Sequence, residues 1–247
     1  MGSTDIFIKT YHKDFMWLSY CIRSIKKFAS GFRDVVLVSD NDGRKIPQEI
    51  LDIMPVKLFY KDVPTKWPPR MQQPSGYVWQ QVVKLNWTEF TDADSILILD
   101  SDLMFTDYVT PESFKDKDGK WFWNYRDWEV AGKAKCWKTP TQELLKFEPQ
   151  YEGMCCVPFV FERKNILEFI DYVKLKHGAS DIFDAFFKYN MTLISEFNAY
   201  GAFIIKFNST TYCPLINQPR LPLVRITWSY GGLSAEEKDT REIILKK

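Results

Sequence analysis

The run Ile-Leu-Ile-Leu-Asp-Ser-Asp-Leu at residues 96–103 constrains the fold of this chain more than any other segment. Four consecutive apolar residues predict a strand that is buried on both faces, as strands of parallel sheets are. Asp100 and Asp102 follow where that strand ends. Because side chains alternate along a strand, both carboxylates can point the same way and share one divalent cation. The segment therefore predicts an α/β fold with a Mg²⁺ or Mn²⁺ site, suited to a diphosphate, at the carboxyl edge of a parallel sheet.

The Asp-x-Asp pattern alone is not specific, because two acids after a strand often form only a solvated turn. Its context is more informative. The segment 5–10 predicts a strand, 14–29 an amphipathic helix and 34–40 a second buried strand, which together form a β-α-β unit with parallel strands. A short helix at 47–54, a strand at 56–60, a proline-rich loop at 62–76 and a helix at 77–90 lead to the Asp-x-Asp strand. This order is typical of a nucleotide-binding half-domain.

The second half of the chain is less regular. We predict strands at 120–128, 157–162 and 204–207, helices at 163–176, 180–189 and 195–203, and an extended surface segment with a short helix at 129–150. The tail from residue 214 contains several prolines and predicts a wrapping segment. We find no repeat or linker, and therefore expect a single domain, with a nucleotide-binding half at about 5–107 and an acceptor-binding half at about 108–247.

Composition excludes several classes of protein. The 33 basic and 32 acidic residues nearly cancel, so we do not expect nucleic acid as a partner. No apolar run is long enough for a transmembrane helix, and the first residues do not resemble a signal peptide. The five cysteines are an odd number without C-x-x-C spacing, which indicates neither a disulfide framework nor a zinc site. We expect a reducing, cytoplasmic compartment.

Three motifs in order resemble those of GT-A glycosyltransferases, in particular a group of small bacterial and viral enzymes. These are Trp-Gln-Gln-x-x-Lys-Leu at 79–85, Ile-Leu-Asp-Ser-Asp at 98–102 and Ser-Glu-Phe-Asn-x-Tyr-Gly at 195–201. The opening Phe-Ile-Lys-Thr-Tyr at 7–11 is similar to glycosyltransferase domains of large algal viruses. The likeness extends over residues 5 to about 205. It implies a GT-A fold, with a mostly parallel Rossmann-like sheet flanked by helices, and, for a viral protein, a location in the host cytoplasm.

The resemblance also implies an activity, namely metal-dependent transfer of a hexose-type sugar from a UDP-sugar to a glycan or a protein-linked acceptor. Asp102 would bind Mn²⁺ or Mg²⁺ directly, and Asp100 would contact the metal or the ribose. The residues implied to contact the nucleotide sugar are Thr10, Tyr11, Asp40, Gln80, Lys84, Asp100 and Ser101. Tyr11 would stack on the base, Asp40 would accept from the uracil or the ribose, and Lys84 would meet the sugar or the phosphates, with Gln80 beside it on the helix face opposite the buried one.

The chain departs from this family in one respect. Many GT-A enzymes supply a third metal ligand, often a histidine, from their C-terminal region, and residues 178–247 contain no histidine. Water, Asp100 or a tail residue such as Asn217 would have to take that place. The missing histidine argues against tight binding of the metal, but it does not argue against use of a metal.

Inverting transfer needs a general base, for which Glu196 is our first candidate and Asp127 and Asp181 are the reserves. The structural alternative for Glu196 is an ordinary acidic residue in the first turn of a helix capped by Ser195. We expect the acceptor sugar to bind aromatic side chains in the second half of the chain, because the C–H face of a pyranose is apolar. The candidates are Trp121, Trp123, Tyr125, Trp137 and Tyr151, and some of them could instead be core residues.

Two other functions fit parts of the pattern. A sugar-phosphate nucleotidyltransferase would need a glycine-rich loop after the first strand, but no glycine occurs between Gly2 and Gly31. A catalytically silent module that binds a sugar or a nucleotide could retain the same acidic pair. The donor sugar, the acceptor, the stereochemical outcome and the oligomeric state do not follow from the sequence.

Overall fold

A computed structural model describes residues 2–66, 75–188, 193–207, 210–218, 223–227, 229 and 232–247. The first half of the chain alternates strands and helices as predicted. Its elements are β1 Thr4–Thr10, α1 Phe15–Phe28, β2 Val35–Asp40, α2 Gln48–Leu51, β3 Lys57–Lys61, α3 Ser75–Leu85 and β4 Ser95–Asp100. Residues 67–74 of the predicted proline-rich loop lie outside the described residues.

The second half adds short strands and most of the remaining helices. Its elements are β5 Leu103–Phe105, β6 Trp121–Tyr125, α4 Lys138–Leu145, β7 Phe159–Glu162, α5 Arg163–His177, α6 Ile182–Lys188, α7 Glu196–Phe207, β8 Tyr212–Ile216, β9 Val224–Ile226 and α8 Ala235–Lys246. Short 3₁₀ helices connect several of them, notably between residues 128 and 137. The predicted extended segment at 129–150 is therefore largely helical.

A five-stranded sheet of order β3-β2-β1-β4-β7 forms the centre of the molecule. The first four strands in this order are parallel, and β7 pairs with β4 in the antiparallel sense. The fold is thus α/β with a mostly parallel central sheet flanked by helices, which confirms the coarse prediction. Because β1, β2 and β4 run in the same direction, their carboxyl ends meet at one edge of the sheet.

Two small sheets extend this edge. β5 begins directly after Asp102 and pairs with β9 in the antiparallel sense, with Leu103 opposite Ile226. β6 and β8 are parallel, with Trp121 opposite Tyr212. The C-terminal segment therefore returns to the point where the Asp-x-Asp strand ends.

The core lies on both faces of the central sheet. Every residue of β4 except Asp100 is buried, as its apolar run predicts. On α1 the buried residues recur at helical spacing and include Trp17, Cys21, Ile25 and Phe28. Among the described residues, no helix is both long and apolar enough to cross a membrane. All five cysteines are free.

Two predictions about the C-terminal part were wrong. Residues 204–207, predicted as a strand, continue helix α7 to Phe207, because the helix buries its apolar residues on several sides. Helix α8 was missed in the predicted wrapping tail. Ser234 was the signal in the sequence for the start of this helix, because serine is a common N-cap residue. In the structure its hydroxyl accepts a hydrogen bond from the Glu237 amide.

Candidate functional site

The ends of the parallel strands bring one buried cation and two acids together. In the sheet register Lys9 on β1 lies opposite Asp100 on β4. The Lys9 Nζ lies 2.7 Å from an Asp40 carboxylate oxygen at the end of β2, and it also donates to the Thr10 carbonyl at 2.6 Å. Burial lowers the pKa of Lys9, and the negative charge of the neighbouring Asp40 opposes part of this shift. Lys9 therefore fixes the orientation of Asp40, a role that the sequence analysis did not assign.

A second buried lysine joins the two halves of the chain. The Lys84 Nζ lies 2.6 Å from Asp100 Oδ1 and 2.7 Å from Glu196 Oε1, and Lys84 is only 2% exposed. Burial by itself lowers the pKa of Lys84, but Asp100 and Glu196 outweigh that effect and raise this pKa above its ordinary value. The Lys84 ammonium also lies 4.9 Å from the centroid of the Phe197 ring. Lys84 is thus a fixed positive charge beside the Asp-x-Asp turn.

One face of α3 holds the start of α7. Tyr77, Gln81 and Lys84 are spaced four and three residues apart, which places them on the same side of the helix. The Tyr77 hydroxyl donates to the Ile194 carbonyl at 3.0 Å, and Gln81 accepts from the Glu196 amide at 3.0 Å. Gln81 thereby satisfies an amide that helix geometry leaves without a partner.

The sequence analysis placed Gln80 beside Lys84 on this helix and did not single out Gln81; contact of Gln80 with the nucleotide sugar stays a prediction. Gln80 is half-buried on a neighbouring side, whereas Gln81 is buried against α7. Lys84 itself was predicted on the face opposite the buried one and is instead buried. The spacing of three residues from Gln81 to Lys84 was the signal that could have identified Gln81 as well.

The turn after β4 gathers three carboxylates. Burial raises the pKa of the Asp102 carboxyl well above its usual range, and the nearby charges of Asp100 and then Asp14 raise it further. The Ser101 hydroxyl donates to Asp14 at 3.2 Å, and burial raises the pKa of Asp14 as well. Asp14, at the start of α1, was not identified from the sequence. Because crowded, desolvated carboxylates are costly to ionise, a bound cation would stabilise this arrangement.

Asp100 and Asp102 line the same cavity, which has a volume of about 240 Å³. Its other walls are mostly apolar and come from three segments, with lining residues Leu103, Met154, Cys155, Val157 and Ile226. Among the described residues, no group of three or more histidine, cysteine, aspartate or glutamate side chains is arranged to bind a metal ion. A cation held by Asp100 and Asp102 would therefore take its remaining ligands from water and from a bound phosphate, as Mg²⁺ commonly does.

The other predicted donor-site residues lie close to these strand ends in the chain. Thr10 is buried at the last position of β1, and Tyr11 directly after it is 37% exposed. Asp40 ends β2 and is paired with Lys9. Ser101 is buried, with its hydroxyl directed to Asp14. Contacts of Thr10, Tyr11 and Ser101 with a nucleotide stay predictions.

The three candidate bases occupy different environments. Glu196 is the first residue of α7 and only 3% exposed, with its carboxylate against Lys84; burial raises its pKa, and the charge of Lys84 opposes this shift. The predicted Ser195 cap is present, since the Ser195 hydroxyl accepts from the Asn198 amide. Asp181 is exposed and accepts a hydrogen bond from the Asp184 amide at the start of α6.

Asp127 is also exposed, and its carboxylate accepts a hydrogen bond of 2.7 Å from Asn217. The Asn217 amide oxygen in turn accepts from the Asp127 backbone amide. The side chain that was considered as a third metal ligand is thus engaged with Asp127.

The predicted acceptor platform on β6 was wrong for three residues. Trp121, Trp123 and Tyr125 are each at most 5% exposed, so their rings cannot bind a sugar. Trp123 stacks on Phe159 at 4.5 Å between ring centroids, and the Tyr125 hydroxyl donates to the Gly201 carbonyl. β6 is covered by the central sheet and α7 rather than exposed to solvent.

The two remaining aromatic candidates are half-buried. The Trp137 indole donates to the Tyr77 hydroxyl at 3.1 Å, and the Tyr151 hydroxyl accepts from Gln150. Their contact with an acceptor stays a prediction.

Residues 7–213 match the model of a protein family that is described as a family of unknown function, DUF6492. The chain belongs to this family. The matched region includes Asp40, Lys84, Asp100, Asp102 and Glu196. No curated protein matches the chain.

Residues 214–247 lie outside the region matched to DUF6492. Strand β9 and helix α8, both near the Asp-x-Asp turn, belong to this part of the chain.

Proposed function

We propose that this member of DUF6492 is a metal-dependent glycosyltransferase of the GT-A type that transfers a hexose-type sugar from a UDP-sugar to a glycan or a protein-linked acceptor. The observation that carries the proposal is the shared cavity of Asp100 and Asp102 at the carboxyl end of β4, beside buried Lys84. Open α/β sheets bind their ligands at this edge. Two carboxylates and one fixed cation in that place suit a metal-bound diphosphate.

The donor set fits a hard divalent cation. Asp100 and Asp102 offer oxygen ligands only, and the pKa of Asp102 is raised by burial and by the acids beside it. A cation there would favour the ionised form of Asp102. When bound, Mn²⁺ or Mg²⁺ would supply positive charge against the negative charge that develops on the leaving diphosphate.

The protein's own groups have separate tasks in this proposal. Lys84 provides a positive charge that does not depend on the metal, at a position fixed by Asp100 and Glu196. Asp40, held by Lys9, is available at the neighbouring strand end to accept from the base or the ribose. Met154, Val157 and Ile226 form an apolar wall of the cavity, against which the sugar ring of a donor could pack.

Glu196 is assigned to positioning Lys84 rather than to proton transfer. A general base must come within hydrogen-bond reach of the acceptor hydroxyl, and the carboxylate of Glu196 is buried against Lys84. A base role for Glu196, Asp127 or Asp181 stays a hypothesis.

Release of UDP from a panel of UDP-sugars in the presence of Mn²⁺, with water or added glycans as acceptor, tests the proposal. Asp102→Asn should lower the rate at least ~10²-fold, because it removes a carboxylate ligand of the metal ion that would stabilise the leaving diphosphate. Asp107→Asn is the matched control, since Asp107 is an exposed acid nearby in the chain whose carboxylate accepts a hydrogen bond from the neighbouring Tyr108 amide. Equal rates for native protein and Asp102→Asn would contradict the metal assignment.

The same assay separates this proposal from its alternatives. Mn²⁺-dependent UDP binding without release of UDP from any donor would indicate a silent nucleotide-binding module. Formation of a nucleotide sugar from UTP and a sugar phosphate would indicate a nucleotidyltransferase.

A further inference from the structure

The part of the chain beyond the region matched to DUF6492 returns to the Asp-x-Asp turn. Strand β9 pairs with β5, and Ile226 lies opposite Leu103, the residue directly after Asp102. The chain that follows β9 is therefore placed beside the turn. The Ser229 amide donates to Asp102 Oδ2 at 3.2 Å.

Glu237 ties this segment together. Its carboxylate accepts hydrogen bonds from Arg225 at 3.0 and 2.6 Å, from Thr227 at 2.7 Å and from Arg241 at 2.8 Å. Arg225 and Thr227 belong to β9 and the residue after it, and Arg241 belongs to α8. One carboxylate thus fixes the strand and the helix relative to each other.

Arg241 links this network to the proposed metal ligand. Its Nε is bound to Glu237, while its Nη2 donates to the Asp102 carbonyl at 2.8 Å. The guanidinium also lies 4.6 Å from the centroid of the Trp17 ring, and the residue has no exposed surface. A planar fork with several donors can make these contacts at once, whereas a lysine ammonium has a different geometry.

We propose that Arg241 is a positioning residue for the metal site: it fixes the main chain at Asp102 so that the carboxylates of Asp100 and Asp102 face one cation. The inference rests on the proposed function for the identity of the ligand. It adds that the C-terminal segment, outside the matched region, is required for the site. The buried guanidinium of Arg241 also interacts favourably with the charge of Asp102.

A matched control exists on the same helix. Glu242 of α8 forms a bidentate pair with Arg23 of α1, at 2.5 and 2.8 Å, and none of these bonds involves Asp102. If any loss of an ion pair on α8 disturbed the site through packing, Glu242→Gln would also weaken Mn²⁺ binding.

The experiment measures Mn²⁺ binding by electron paramagnetic resonance, and UDP binding by calorimetry with Mn²⁺, in native protein, Arg241→Lys and Glu242→Gln. Thermal unfolding of each variant provides the measure of folding. We expect Arg241→Lys to weaken Mn²⁺ binding by roughly 10-fold or more, as is typical when a residue that orients a metal ligand is changed. Glu242→Gln should bind Mn²⁺ as native protein does.

Unchanged Mn²⁺ affinity in Arg241→Lys, or an equal loss in Glu242→Gln, would overturn the role of Arg241. Native protein that binds Mn²⁺ but neither UDP nor a UDP-sugar would overturn the proposed function. In that case, weaker Mn²⁺ binding by Arg241→Lys would still support the positioning role. Native protein that binds no Mn²⁺ would overturn both.

Discussion

Lys84 neutralises two carboxylates from distant parts of the chain, and its removal would have separable effects. Lys84→Met leaves Asp100 and Glu196 side by side without a cation, and loss of one partner of such a buried pair costs ~3 kcal/mol or more of folding stability. We expect the double variant Lys84→Met/Glu196→Gln to recover part of this stability, because it also removes one of the stranded charges. It should not recover Mn²⁺-dependent UDP binding, since the positive charge is still absent.

Urea unfolding and calorimetry with UDP measure the two effects independently. Lys138→Met is the control, because Lys138 forms an exposed pair with Glu148, and such pairs contribute little to stability. UDP binding that returns together with stability in the double variant would show that Lys84 has only a structural role.

Helix α7 depends on a close approach at Gly201. A Cβ at this position would lie 2.8 Å from the Trp123 indole nitrogen, which donates to the Gly153 carbonyl. Because Trp123 is fully buried, Gly201→Ala should lower the free energy of unfolding by ~1–3 kcal/mol, despite the higher helix propensity of alanine.

Urea unfolding at constant pH measures this difference, with Gly76→Ala in α3 as the control. Among the described residues, no atom would lie within 4 Å of a Cβ at Gly76, so that variant should be as stable as native protein or slightly more stable. Equal stability of Gly201→Ala and native protein would contradict the close contact between α7 and β6.

At the scale of elements, the sequence predicted the first half well because its strands are apolar runs separated by clear helix and turn signals. β4 and α1 follow directly from such patterns. The second half was harder, since apolar residues there serve a core shared among several short elements. A large aromatic residue in a strand, such as Trp123, can be either a core residue or a platform for a sugar. The packing of Phe159 and Gly201 against Trp123 shows that it belongs to the core.

Some residues of the candidate site could be predicted from the sequence and others could not. Asp100, Asp102 and Lys84 lie in motifs and could be identified from sequence. Arg241 and Asp14 could not, because their relation to Asp102 depends on where α8 and the start of α1 pack. Gln81 was missed because its hydrogen bond to the Glu196 amide depends on the packing of α7 against α3, which the sequence does not show.

Across the whole molecule, stability in acid should depend on Glu237. Its hydrogen bonds to Arg225, and then to Thr227 and Arg241, lower the pKa of Glu237 to about 2, below its value in an unfolded chain. The stabilisation that this shift represents is complete above the unfolded pKa of 4.5 and is lost as the pH falls towards 2, because the unfolded state then binds the proton more readily.

Urea unfolding of native protein and Glu237→Gln checks this dependence. We expect the variant to be less stable at about pH 6 and the difference in stability to narrow at about pH 3, because the unfolded state of native protein then binds a proton at Glu237 that the folded state does not. A difference that is equal at both pH values would contradict the role of the Glu237 carboxylate.

Calorimetric titration of UDP into the native protein, first with Mn²⁺ and then with EDTA, tests the central claim most directly. We predict binding that requires Mn²⁺ and is lost in Asp102→Asn but not in Asp107→Asn. Binding of UDP that is equal with Mn²⁺ and with EDTA, or absence of binding in both, would contradict a metal-bound diphosphate at Asp100 and Asp102.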